Sequence, residues 1–501
     1  MRLGELLRTA GLTAPHGNTD PEISGVTRDS RTVKGGELFA AIPGRTDSGE
    51  KYIADAAARG AAAILAGRDY CGESFGLPIV RAASVRAGFA RLCAAAFGQP
   101  QLRMRIFGIT GTNGKTSTAY FLERMLAADG RHTAMIGSNG LFHDGHRVPF
   151  PPQNTGISQM TTPDPELLYP MLAELASEGV TDVVMEVSSH ALALEKVAPI
   201  CFRSAIFTNF ASDHLDFHGT REEYKRAKLY LASQSDTVIY NGDDPEWREA
   251  FRWYPRAFSF GTSQCDFSAL RKRVHAVNGV SYLLVSPRAA FRMRSRIAGD
   301  FTVMNSLGAA AAALLAGVSP ETVADAAESL ERIPGRVERI VPESLPGVSV
   351  IIDYAHTEMA MQRLLSSLAS CRKSGRLITV FGCGGDRDKG KRAPMGRAAA
   401  EGSDLVIVTS DNPRSESPVS IVKDILRGMK DFNHKTVVMN RGEAITAAIC
   451  LARQGDTVLL VGKGREDYEI DADGRHYYSE REAVESAAEK RMELLKKRSI
   501  K

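Results

Sequence analysis

Apolar residues along this chain fall into short continuous runs, each followed by a longer stretch in which they recur at helical spacing. Between residues 101 and 335 the runs are "VTDVVMEV", "SAIFTNF" and "DTVIYNG", and the block closes on the helical "MNSLGAAAAALLAG". After the turn signal "RIPGR" a second regular series begins: "VSVIIDYAH", "RLITVFGCGG", "SDLVIVTSDNP", "KTVVMN" and "DTVLLVGKG", each leading into a helical run. Continuous apolar strands alternating with helices predict mainly parallel sheets covered on both faces. Ahead of both, residues 1–100 mix short strands ("GELFAAI", "AAAILAG", "LPIVRA") with helical runs such as "EKYIADAAARG" and close on the turn-like "FGQP". The pattern predicts an α/β protein of three domains: a small α/β N-terminal domain (1–100), a central doubly wound domain (101–335) and a C-terminal Rossmann-like domain (336–501).

Composition narrows the partners. A chain of 501 residues is too long for one ordinary core, which agrees with several domains. Hydrophobic residues at 43% and charged ones at 24% are ordinary for a soluble globular protein. A net charge of +4 spread over this length argues for neither nucleic acid nor a membrane surface, while leaving room for a local cationic pocket. The seven cysteines (71, 93, 201, 265, 371, 383, 450) are odd in number and free of C-x-x-C spacing, as in a reducing cytoplasm. "MRLGELLRTAGL" reads as a short amphipathic helix and not a signal peptide, and the apolar run "LGAAAAALLAG" is too short to span a bilayer. A cytoplasmic monomer with no nucleic-acid partner and no membrane insertion is expected.

The chemistry-bearing stretch is "FGITGTNGKTSTAYFLERML", a strand, a glycine-rich turn and a helix. "GITGTNGKT" is close to the phosphate-loop pattern, with one residue, Asn113, extra before Gly114. In such a loop backbone N–H groups cradle phosphate oxygens, Lys115 neutralises the outer phosphates and the Thr116 hydroxyl faces Mg²⁺. A glycine-rich turn that binds nothing is the bland alternative. Glu186 ends the run "VTDVVMEV", where such folds need an acid for the metal or its water. Motor ATPases, GTPases, kinases and ATP-dependent ligases all use a phosphate loop, so it does not select the reaction. In "FTNFASDHLDFHGTREEYKRAKLYL", spacing alone makes His214 a structural loop histidine and Lys228 a solvated residue on the helix starting near Thr220. In the C-terminal series, Asp353, His356, Gly384, Asp386, Asp411, Asn412, Gly462 and Gly464 sit at strand ends, where ligands of doubly wound sheets collect.

"GTNGKTST", "MEVSSHAL", "FTNFASDHLDFHG" with "EYKRAK", "GRVE", "DYAHT", "FGCGGDRDKGKR", "DNPR" and "GKGREDYEI" occur in the order found in the Mur ligases. The chain resembles that family over essentially its whole length, and most closely the members that add the third residue of the peptidoglycan stem peptide. "GVTRDSRTVKGGELFAAIPGRTDSG" is similar to the uridine-binding domain of those members.

The resemblance implies an ATP-dependent amide ligase of cell-wall biosynthesis that joins meso-diaminopimelate to the D-glutamyl γ-carboxylate of UDP-N-acetylmuramoyl-L-alanyl-D-glutamate through an acyl phosphate. The alternatives are the same ligase using L-lysine, or a folylpolyglutamate-synthetase-like ligase. By resemblance, residues 1–100 bind the UDP-sugar, 101–335 ATP and 336–501 the amino acid. ATP would lie on Gly111, Thr112, Asn113, Gly114, Lys115, Thr116 and Ser117, helped by Asn305, Arg336, Asp353 and His356. Mg²⁺ would be held by Thr116, Glu186, His214 and Lys228, the lysine carbamylated by CO₂ to a carboxylate; Lys115, Glu186, His214 and Lys228 form the catalytic set. Ser30, Arg45, Thr161, Thr162, Ser188 and Lys196 would receive the nucleotide-sugar dipeptide. Arg387, Asp411, Asn412, Pro413, Arg414, Gly462 and Glu466 would receive diaminopimelate. On strand position alone, Asp353 and His356 also read as a capped strand end, and Arg414 as a turn residue in water. Two positions depart from the family pattern: Lys196 where relatives often carry arginine, and Arg465 where histidine is usual.

Overall fold

The computed structural model describes all residues except 16–18, 45–46, 150–159, 276–277, 343, 372–374 and 500–501. The chain divides into two compact units, Met1–Ser268 with Leu307–Val323, and Ala269–Ser306 with Ala324–Lys501.

The first unit contains two sheets. Gly25–Thr27, Glu37–Ala40, Ala63–Gly67 and Ile79–Ala82 pair in chain order, all parallel. The helix Leu3–Ala10 buries Leu3, Leu6, Leu7 and Ala10, the i, i+3, i+4, i+7 stripe of an amphipathic helix, and packs on the helix Val85–Ala96. Within this unit the strand order along the second sheet is Ala257–Gly261, Val238–Asn241, Ser204–Phe207, Arg105–Thr110, Asp182–Glu186, Thr133–Gly137, Gly140–His143, His146–Val148. The five pairings from Ala257–Gly261 across to Thr133–Gly137 are parallel. Arg105–Thr110 is therefore a central strand, and it is apolar along its length apart from its two ends, because both faces are covered. The pairings Ile109↔Glu186 and Phe207↔Thr110 bring three strand ends to one level.

The second unit holds a six-stranded sheet in the order Glu338–Ile340, Ser349–Asp353, Thr457–Val461, Leu377–Phe381, Leu405–Val408, Lys435–Val437. All its pairings are parallel except that of the edge strand Glu338–Ile340. Apolar clusters line both faces of this sheet, Ile351, Phe381, Val408 and Leu459 on one side and Val350, Val380, Ile407 and Leu460 on the other. Ser349–Asp353, Leu377–Phe381, Leu405–Val408 and Thr457–Val461 end on the polar residues singled out above.

Antiparallel hairpins are the elements that the run-and-helix pattern leaves out. Gly140–His143 pairs with His146–Val148, Val280–Val285 with Ala290–Ser295, and Tyr468–Asp471 with Gly474–Tyr477. The first of these turns on Asp144–Gly145, both at positive φ, the pairing that a tight hairpin turn demands. Among the described residues no helix is long and apolar enough to cross a membrane.

Candidate active site

The turn between Arg105–Thr110 and the helix Lys115–Ala128 is shaped by its neighbour in the sheet. Gly111 has φ 142, and a Cβ there would lie 1.9 Å from Thr208 Oγ1, so only glycine fits. The loop after Ser204–Phe207 grips the turn: Asn209 Oδ1 accepts from Asn113 N (3.0 Å), Asn209 Nδ2 donates to Asn113 O (3.0 Å), and Thr208 Oγ1 donates to Asn113 O (2.6 Å). Thr112 Oγ1 accepts from Ala211 N at 3.0 Å. Lys115 Nζ curls back onto Gly111 O (2.8 Å) and Thr112 O (2.9 Å) at the N-terminus of its helix, where an anion is favoured.

Beneath the turn Thr116 Oγ1 donates to Glu186 Oε2 at 3.0 Å, and both residues are buried. The other oxygen of Glu186 accepts from Ser138 N at 2.9 Å. The carboxylate can come this close to the backbone because residue 137 is glycine; a Cβ there would meet Glu186 Oε1 at 2.2 Å. Ser138 Oγ reaches Thr161 Oγ1 (2.9 Å), Thr162 Oγ1 donates to Glu186 O (2.9 Å), and Ser188 N donates to Thr162 Oγ1 (3.0 Å). Thr161, Thr162 and Ser188 are thus joined to Glu186 by one hydrogen-bonded chain.

Lys228 is not a solvated helix residue. On the helix Arg221–Ser233 it shares the buried face of Tyr224 and Leu231, is 1% exposed, and donates from Nζ to Gly111 O at 2.9 Å. It lies 4.5 Å from the centre of the Tyr224 ring. Burial, and after it the charge of Lys115 on the same carbonyl, push its pKa well below the ordinary lysine value, with Asp213 opposing. His214, at φ 53, stands beside His190, ring centres 4.8 Å apart, and His190 lies 5.5 Å from His218. Burial and then the charges of His214 and His218 push His190 down to about 4. His214 is lowered as well, burial first, with Asp213 opposing.

Lys196 is buried and paired, its Nζ 2.7 Å from Asp164 Oδ1; Asp164 also meets Arg28 Nη2 at 2.6 Å. Ser30 is buried in a short 3₁₀ turn capped by Asp29, and Arg45 lies outside the described residues.

In the second unit, Asp353 Oδ2 accepts from Val337 N (2.9 Å) and Oδ1 from Ala355 N (2.7 Å), so this carboxylate ties the "GRVE" turn to its own strand end. Burial raises its pKa against the nearby charge of Arg336. Arg336 stacks over the Tyr354 ring at 5.0 Å, and His356 Nδ1 is 3.0 Å from Tyr354 O. Asn305 is buried on the helix Phe301–Leu315. Asn412 Nδ2 donates to Glu466 Oε2 at 2.7 Å. Arg414, at φ 53, donates from Nη1 to Gly385 O (2.8 Å) and Asn412 O (3.3 Å), which fixes the guanidinium beside them. Gly462 brings its backbone against Asp411, Pro413 is buried, and Arg387 is exposed. Burial and then Asp411 raise the pKa of Glu466.

Three sequence models of one family match in order along the chain: "Mur ligase family, catalytic domain" over 22–92, "Mur ligase middle domain" over 109–313, and "Mur ligase, glutamate ligase domain" over 335–464. The chain belongs to the Mur ligase family. It is 38% identical to the UDP-N-acetylmuramoyl-L-alanyl-D-glutamate–2,6-diaminopimelate ligase of Gloeobacter violaceus, over 98% of this chain and 99% of that protein. It is 40% identical to the ligase of the same name from Solibacter usitatus, over 94% of each. A solved structure of a ligase of that name is similar at 30% identity and a TM-score of 0.65, covering 93% of this chain and 95% of that one.

As a Mur ligase, the chain carries supporting residues that motif reading passed over. Thr208 and Asn209 build the glycine-rich turn, His190 packs against both His214 and His218, and Lys463 lies buried beside Asp411 and Asn412. The first two were open to the rule already applied to Glu186, since they too follow the carboxyl end of a strand. Among the described residues no three His, Cys, Asp or Glu side chains converge as a metal cage. The Thr116 hydroxyl and Glu186 carboxylate instead suit an ion such as Mg²⁺, which takes few protein oxygens and completes its shell with phosphate and water.

Proposed function

We propose that this Mur ligase condenses meso-diaminopimelate with the D-glutamyl γ-carboxylate of UDP-N-acetylmuramoyl-L-alanyl-D-glutamate at the expense of ATP. The observation that carries the reading is the pairing of near full-length similarity to ligases of that name with a phosphate turn seated on the buried Thr116–Glu186 pair.

A carboxylate is a poor acylating group at neutral pH, so the γ-phosphoryl group of ATP first moves to it and forms an acyl phosphate, which the amine then attacks as phosphate leaves. Lys115 and the backbone N–H groups from Gly111 to Ser117 hold the phosphates and spread the charge that grows during transfer. A bound Mg²⁺ would supply positive charge against the phosphates. Thr116 and Glu186 would hold it, and by the resemblance His214 would join them. Lys228 as an ammonium would repel such an ion, but burial favours its neutral amine, the form whose nitrogen adds to the carbon of CO₂ and then releases a proton to give a carbamate. The resulting carboxylate would turn a buried cation into an anionic ligand or orienter.

Residues 1–100 with Thr161, Thr162, Ser188 and Lys196 would receive the nucleotide-sugar dipeptide, and residues 336–501 the amine. Arg414 would pair with the distal carboxylate of diaminopimelate in the two-pronged geometry that lysine cannot offer. The test is ATP-dependent phosphate release with UDP-N-acetylmuramoyl-L-alanyl-D-glutamate and a panel of amines. Release that needs meso-diaminopimelate and yields the tripeptide supports the reading; equal or greater release with L-lysine refutes the choice of amine, and release without any amine refutes the ligase chemistry.

A further inference from the structure

Lys463, one residue beyond Gly462, has no exposed surface. Its Nζ donates to Asn412 Oδ1 at 3.1 Å and to Tyr468 O at 2.9 Å, and lies 3.4 Å from Asp411 Oδ1. The contact with Asp411 is Coulombic only, since that oxygen accepts no directed hydrogen bond among the described residues. Glu469 stands farther off, at 3.9 Å. Burying an ammonium is costly, and an apolar side chain of similar length would fill the same space more cheaply. What the ammonium supplies is direction.

A primary amide presents an oxygen and an NH₂ group of nearly the same shape, so its orientation is set only by its partners. Asn412 Oδ1 receives two donors, Lys463 Nζ and Ile470 N (3.0 Å). A flipped amide would set its own N–H groups against both. With the oxygen held, Nδ2 is turned toward Glu466 Oε2 at 2.7 Å, and the other carboxylate oxygen lies 3.5 Å from the Tyr354 hydroxyl. We propose that Lys463 is a positioning residue for the amine: it locks the Asn412 amide and through it aims the Glu466 carboxylate at the incoming ammonium group. The inference rests on the reading above that Asn412 and Glu466 receive diaminopimelate.

The test is steady-state kinetics on the full-length enzyme, with each substrate varied in turn. Lys463→Met should raise the KM for diaminopimelate ~10-fold or more, the scale set by a small misplacement of a binding group, and leave the KM for ATP and for the nucleotide sugar within about twofold. In an Asn412→Leu background the same substitution should add less than about twofold, because the lysine acts through that amide. Glu466→Gln is the control for the underlying reading: if it leaves the amine KM unchanged, the amine site is misassigned. If Glu466→Gln raises that KM while Lys463→Met does not, or if Lys463→Met raises all three KM values alike, the positioning role is refuted. Lys463→Leu is measured in parallel, and failure of both variants to fold also overturns the proposal, since a structural role then suffices.

Discussion

Lys228→Met removes the amine and keeps the apolar stem. Alanine would be the wrong probe, because the side chain is 1% exposed and its loss would leave a cavity that itself costs about 2–5 kcal/mol. With methionine the terms oppose each other. One hydrogen bond to Gly111 O is lost, worth about 1 kcal/mol, and that carbonyl still accepts from Lys115 Nζ. Against this, replacing a buried charge by an apolar group of similar volume is neutral or stabilising by about 1–4 kcal/mol. The variant should therefore be as stable as the parent or more so by about 1–3 kcal/mol at pH 7, measured by urea unfolding in CO₂-free buffer. Its ligase rate should fall by ~10² or more, the scale of one preorganised charge stabiliser. Stability should also respond to pH in a set direction. Because the folded-state pKa lies below the ordinary 10.5, the unfolded chain binds the proton more tightly between those two values. The parent thus gains stability as pH rises through that window and the variant does not, so their difference should shrink towards pH 10.5. A variant active within about threefold of the parent, or one destabilised by more than about 2 kcal/mol, would refute the argument.

Lys115→Ala should lower the rate by ~10² or more with little change in Tm, since the Gly111 and Thr112 carbonyls that its Nζ meets belong to a turn that Asn209 also holds; a loss under about threefold would show that this turn is not the catalytic phosphate site. Arg414→Ala should cut kcat/KM for meso-diaminopimelate by ~10³ while barely changing the rate with L-lysine, and an unchanged preference in competition kinetics would contradict its assignment. Asp164→Asn should cost about 3 kcal/mol at pH 7 by leaving Lys196 buried without its carboxylate. Burial pushes the Asp164 pKa up, but Lys196 and Arg28 outweigh it and hold it below the ordinary value. The contribution is thus present above pH 3.8 and fades as pH falls through the lower folded value, so the two proteins should converge in acid; a constant gap down to pH 2 would rule the pair out as its source.

Parallel strands flanked by helices were legible because a strand buried on both faces is apolar through its middle, as Val183–Met185 and Val458–Val461 are. The hairpins were not, since short two-stranded ribbons with one wet face carry no continuous run. Lys228 shows a different limit. "EYKRAKLYL" is polar in sum, yet Tyr224, Lys228 and Leu231 stand at i, i+4 and i+7, and that spacing already placed the lysine on the buried face. Counting charges hid what periodicity carried. The order of the motifs was enough to identify the family, but Asn412, Lys463 and Glu466 meet only through tertiary folding, and no local spacing encodes which way an amide points.

The place of Arg105–Thr110 in its sheet bears on how the protein is made. Its two strand neighbours, Asp182–Glu186 and Ser204–Phe207, come later in the chain, and the Asn209 bonds that shape the glycine-rich turn span 96 residues. Until the nascent chain has passed Asn209, the glycine-rich turn lacks the bonds that shape it, however helical the segment behind it. The turn is therefore completed late in synthesis, as the strands downstream close around a strand made long before.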